Sequence, residues 1–94
     1  MRKLSLLALL LLASCSTPHQ LTDEGSAVKV AKTRPKNCSV IGKYKGIHNE
    51  GSVDLARNQA VNLAAKEGAT DIYFDEEINN SKNWVVHATG FMCK

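Results

Sequence analysis

SVDLARNQAVNLAAKEGATDIYFDEE, residues 52–77, decides the fold. Ser52 is a helix-capping residue type, and Asp54 falls in the first turn, where a negative charge meets the helix N-terminus favourably. Val53, Ala56, Ala60, Leu63 and Ala64 then recur at helical spacing, which predicts a helix over 53–67 with a narrow stripe of small apolar residues. Arg57, Asn58, Asn62 and Lys66 point in other directions. Gly68 stands where a left-handed residue ends a helix. The pattern then switches to a strand over 69–76 centred on Ile72, Tyr73 and Phe74. A helix with an alanine stripe running straight into a strand predicts a helix lying close on a sheet.

Working outward, residues 84–93 alternate. Val85, His87, Thr89, Phe91 and Cys93 form one set, and Trp84, Val86, Ala88, Gly90 and Met92 the other. Asn79, Asn80 and Ser81 supply a hairpin loop before this strand. On the N-terminal side, residues 38–45 alternate and residues 27–31 form a short strand, with Pro35 between them. Residues 46–51 read as a polar loop. The order is β-β-α-β-β, an α+β domain with one sheet and one helix packed on a face.

The first fourteen residues belong outside the fold. Arg2 and Lys3 precede an apolar run, Leu4 to Leu12, and then the small residues Ala13 and Ser14. That order is an export signal, and the run is shorter than the roughly 20 residues that span a bilayer. Leu12-Ala13-Ser14-Cys15 resembles the lipobox of bacterial lipoproteins. The resemblance implies cleavage between Ser14 and Cys15 and acylation of Cys15, anchoring the chain to a membrane through its N-terminal lipid. Residues 16–26, with Pro18, Gly25 and several polar side chains, read as a flexible tether. The expected organisation is therefore a signal peptide over 1–14, a lipidated cysteine and tether over 15–26, and a globular domain over 27–94. By resemblance to enterobacterial lipoproteins, Ser16 rather than aspartate after the anchor implies the outer membrane, with the domain in the periplasm.

Loss of Arg2 and Lys3 lowers the formal charge from +3 to +1, and a near-neutral exported domain gives no argument for a nucleic-acid partner. So small a domain benefits from a staple. With Cys15 acylated, Cys38 and Cys93 remain as a pair in an oxidising compartment. Both lie near strand ends, so their bonding predicts that the second and fourth strands are neighbours. The helix is expected on the face shared by the cysteines, Ile72 and Phe74. Ile41, Tyr73, Trp84, Val86 and Met92 would then line an open apolar face, the form an interaction surface takes. Two alternatives stand beside that assignment: reversed faces, or a tether folded back over the domain.

From residue 28 onward the chain resembles a group of small bacterial outer-membrane lipoproteins that includes the Rcs-pathway envelope-stress sensor. The features are Cys38 before Val40-Ile41-Gly42, a helix with Arg57-Asn58-Gln59-Ala60 and Leu63-Ala64-Ala65, then Gly68-Ala69-Thr70-Asp71-Ile72, and a final Ala88-Thr89-Gly90-Phe91-Met92-Cys93. The resemblance implies a disulfide-stapled α/β domain at the outer membrane. The stress sensor carries four domain cysteines and a long proline-rich tether. This chain has two such cysteines and a short tether, which places it with shorter relatives of unknown function.

Motifs for chemistry are sparse. No Cys-x-x-Cys, Gly-x-Ser-x-Gly or phosphate loop occurs. His19, His48 and His87 lack metal-ligand spacing, and Asp71, Asp75, Glu76 and Glu77 lack that of a calcium loop. No cofactor or metal is expected. Lys29, Lys32, Arg34, Lys36, Lys43 and Lys45 form a basic group that either meets anionic lipid or polymer or is balanced by the acids of the third strand. The sequence thus predicts a non-enzymatic envelope lipoprotein that binds an envelope protein or polymer. A thiol–disulfide factor using Cys38 and Cys93, and a surface-exposed adhesin or antigen, are the alternatives.

Overall fold

The computed structural model describes residues 18–93; the expected signal segment, cleavage position and acylated Cys15 lie outside them. The elements are α1 (Asp23–Ser26), β1 (Lys29–Val30), β2 (Ser39–His48), α2 (Val53–Lys66), β3 (Asp71–Asn80) and β4 (Asn83–Met92). Four strands make one mixed sheet in the order β1-β3-β4-β2. β1 runs parallel to β3, and the other two pairings are antiparallel. The domain is α+β, with α2 packed on the sheet and a disulfide joining Cys38 to Cys93.

α2 starts and stops on the signals in the sequence. The Ser52 side chain accepts from the Leu55 N–H, satisfying one of the donors left over in a first turn. Gly68 turns the chain out at φ 91°, a conformation that costs glycine little. Ala56, Ala60 and Ala64 are fully buried. The sheet meets them with equally small residues. A Cβ on Gly46 would sit 1.9 Å from the Ala56 carbonyl oxygen, so β2 passes directly under the helix backbone there. Val28, Tyr44, Val61, Ala69, Ile72 and Ala88 complete this core, with Ile41, Leu63 and Phe74 packed around it.

β2 and β3 extend past their expected C-terminal ends, whereas β1, expected over 27–31, is confined to Lys29–Val30. Residues 46–48, read as loop, continue β2 and pair with Val86, Val85 and Trp84. Residues 77–80 continue β3, which turns through Ser81 (φ 61°) and Lys82 into β4. This half of the hairpin is polar because few of its side chains enter the core, so no apolar alternation marks it.

Two β-bulges decide the faces. β2 shifts register between Val40 and Gly42, and β3 between Phe74 and Glu76. A bulge inserts one residue and reverses the phase of alternation beyond it. Val40 therefore pairs with Phe91 on the face away from α2, while Gly42 pairs with Gly90 on the face beneath it. Simple alternation carried across these points misassigns the sheet. The set Trp84, Val86, Ala88, Gly90 and Met92 lies on the helix side, and the cysteine-bearing set lies on the other. The expected assignment is thus reversed for β4, whereas Ile72 and Phe74 of β3 face α2 as expected and Tyr73 faces away.

Residues 18–26, expected as tether, fold against the domain. Thr22 caps α1, its side chain accepting from the Gly25 N–H. Asn62, off the apolar stripe of α2, is 1 % exposed because this segment crosses over it. Asn62 Nδ2 donates to the carbonyls of Pro18 (3.0 Å) and Gln20 (2.8 Å), and Asn62 Oδ1 accepts from the Thr22 N–H and hydroxyl (3.0 Å each). The molecule is layered: an N-terminal strap, α2, the sheet, and at one end the connection 31–38 over the outer face.

Candidate functional site

The outer sheet face is built from the residues that the bulges turn away from α2. Lys43 and Lys45 of β2 stand opposite Thr89 and His87 of β4, and Glu76 of β3 stands opposite His87 from the other side. Lys43, Lys45, Asp75, Glu76 and His87 line a shallow concavity of about 360 Å³. Its floor is strand backbone and its rim carries both signs of charge. Lysines on β2, an edge strand, also discourage another chain from adding to the sheet.

One end of this face is closed. The connection from β1 to β2 brings the Arg34 guanidinium 5.4 Å from the Phe91 ring centroid, an attractive cation–π arrangement. Arg34 Nη1 also donates to Asp75 Oδ1 at 2.8 Å, and Thr89 Oγ1 donates to Asp75 Oδ2 at 2.6 Å. Asp75, the bulged residue of β3, thus ties the crossing connection to β4. Of the six residues of the basic group, Arg34 is committed to this contact.

Beneath the same connection lies the disulfide, Cα to Cα 4.5 Å. β2 and β4 are neighbours, as the cysteines imply, and Cys38 and Cys93 follow on from the pair Ser39–Met92. The Cys93 N–H donates to Thr70 Oγ1 at 2.8 Å, fixing the end of β4 against the turn before β3.

The expected apolar interaction face does not assemble. Val86 is fully buried under α2, and Ile41 packs against the core. Trp84 and Met92 belong to the helix-side set; Met92, 38 % exposed, approaches Gly68 at the helix end. Tyr73 alone lies on the outer face, opposite Thr89. Alternation was the only signal for these five residues, and it has no marker for a bulge.

Three polar arrangements hold the helix side. Arg57 on α2 grips Glu77 of β3 with two hydrogen bonds, from Nε to Oε2 and from Nη2 to Oε1. Arg57 holds the Glu77 carboxyl below its ordinary pKa chiefly by donating those bonds. Tyr44 donates its hydroxyl to Glu67 at 2.8 Å. Burial first, and the Glu67 carboxylate second, push the phenol up to about 12. Near the strap, His19 Nε2 stands 2.7 Å from the Ile47 carbonyl oxygen, and its ring meets that of His48 edge-on at 5.2 Å. His48 Nδ1 accepts from the Ser52 and Glu50 N–H groups, closing the loop before α2. Neither the Asn62 clamp nor the His19–His48 pair has a local sequence signature, because both join residues far apart in the chain.

Among the described residues, no helix is long and apolar enough to cross a membrane, and no three His, Cys, Asp or Glu side chains converge to hold a metal ion. A scan of protein-family models, a search of curated proteins and a search of solved structures each find no match for this chain.

Proposed function

We propose that this protein is a non-enzymatic lipoprotein of the bacterial envelope, related to the small outer-membrane lipoproteins that its sequence resembles. It is anchored by acylated Cys15 and binds another envelope protein or polymer through the outer face of its sheet. The carrying observation is the two-signed concavity of Lys43, Lys45, Asp75, Glu76 and His87. It is wide, shallow and built on rigid strands. An enclosed, largely apolar pocket is the usual seat of a small substrate. An open face with lysines on one side and carboxylates on the other suits an extended chain bearing both charges, and such complementarity sets partner choice more than raw affinity. The Cys38–Cys93 bond and the Arg34–Asp75–Thr89 chain hold one end of this face rigid, so its charges are placed before a partner arrives.

A photo-crosslinking side chain introduced at position 45, on the outer face, tests this in intact cells against the same group at position 66, at the exposed end of α2. The reading predicts discrete adducts from position 45 that disappear when Lys43 is also changed to glutamate. Adducts from position 66 alone, or the same adducts from both, would reject the outer face as the binding surface.

A further inference from the structure

The fold leaves almost no chain between the lipid-attachment cysteine and the domain. We infer that the anchored domain is seated directly on the lipid headgroups, by the corner at which Pro18 and His19 meet the end of β2. The inference rests on the lipoprotein reading for Cys15 and goes beyond it by naming which surface of the domain faces the bilayer.

Four hydrogen bonds fix the strap from its first described residue: Asn62 donates to the Pro18 and Gln20 carbonyls and accepts twice from Thr22. His19 extends the attachment to Ile47 and His48. Pro18 is three residues from Cys15. Three residues reach at most about 11 Å, even fully extended. A tether of the expected length, running freely to residue 26, would reach roughly four times as far. The clamp removes that freedom. The corner around His19 is therefore confined to within about one headgroup layer of the acyl chains of an anchored Cys15.

That corner is one end of the sheet. His48 is paired with Trp84, and the backbone of Lys82 in the adjacent hairpin turn passes close to Gly51. Ile47 is partly exposed there, and Lys82 is exposed. An apolar side chain, a tryptophan and a lysine together at one end are what an interfacial surface presents to lipid headgroups. The disulfide lies at the other end of β2, ten residues away, or roughly 30 Å at 3.3 Å per residue. It is held distal to the membrane, so the outer face runs from the headgroups outward.

Trp84 is the single tryptophan of the chain and sits at the membrane-facing end, so its fluorescence reports the seating. The purified lipidated protein is placed in phosphatidylethanolamine–phosphatidylglycerol vesicles carrying a nitroxide on the headgroup. The inference predicts strong quenching of Trp84, and loss of most of it when a long Gly-Ser segment is inserted between Thr17 and Pro18. Weak quenching of a protein whose intact mass includes the acyl groups would overturn the seating while leaving the lipoprotein reading in place. Quenching unchanged by the insert would also overturn it, because the domain would then bind lipid without the short connection. A mass without acyl groups would instead remove the reading beneath it.

Discussion

Asn62 holds Thr22 by both its backbone N–H and its hydroxyl, each 3.0 Å from one carboxamide oxygen, across forty residues of sequence. Its nitrogen is spent on Pro18 and Gln20. One fully buried side chain thus turns an apparent linker into a layer of the domain. Replacing Asn62 with alanine should lower stability by about 2–3 kcal/mol, as buried backbone groups lose their partners. Hydrogen exchange should show faster amide exchange in residues 18–28. Asn49→Ala, in an exposed turn, should change stability by less than about 0.5 kcal/mol.

Gly46 is where sheet and helix touch backbone to backbone. A methyl group there would collide with the Ala56 carbonyl and the Ala60 nitrogen, neither of which is a movable side chain. Gly46→Ala should destabilise by about 3 kcal/mol or more, at the upper end of overpacking. The urea midpoint measures it. A near-neutral effect would mean that α2 rides higher on β2 than described.

The Cys38–Cys93 bond closes a loop of 55 residues. The chain-entropy model assigns such a loop about 4 kcal/mol, a large share of the stability of a domain this size. Cys38→Ser with Cys93→Ser should therefore lower the unfolding free energy by roughly that amount. Comparing oxidised and double-serine proteins by denaturant titration checks it.

Tyr44 gives a pH dependence with a definite sign. Its phenol ionises near 10 in the unfolded chain and near 12 in the fold. The folded state therefore retains the proton more tightly. The associated stability is complete below pH 10 and is lost as pH rises from 10 to 12. A two-unit shift corresponds to at most about 2–3 kcal/mol. Tyr44→Phe should flatten the fall in stability over this window, at a cost near 1 kcal/mol at neutral pH for the bond to Glu67. A parallel fall in both proteins would assign the alkaline transition elsewhere.

The fold was legible in the sequence wherever a local signal coincided with a structural boundary. Ser52 and Gly68 bracket α2, the alanine stripe gives its close packing, and two cysteines at strand ends identify β2 and β4 as neighbours. The faces of β3 were legible at Ile72, Tyr73 and Phe74, but those of β2 and β4 were not. A bulge at Ile41 or Asp75 is a property of pairing between strands, and period-2 reading across it places Val86 and Met92 on the wrong side. Asn62 was equally silent. A polar residue off the apolar stripe normally meets water, and only the strap, which folds through contacts more than forty residues away, buries it. The charged residues of the candidate site were visible as basic and acidic groups, but their convergence depends on the bulge at Asp75.

Intact-mass spectrometry of the protein extracted from membranes tests the central claim most directly. The account predicts a polypeptide beginning at Cys15, carrying fatty-acyl mass at that residue, with Cys38 and Cys93 joined and no free thiol. An unacylated chain, a start at any other residue, or a thiol available to alkylation in the unreduced protein would contradict it.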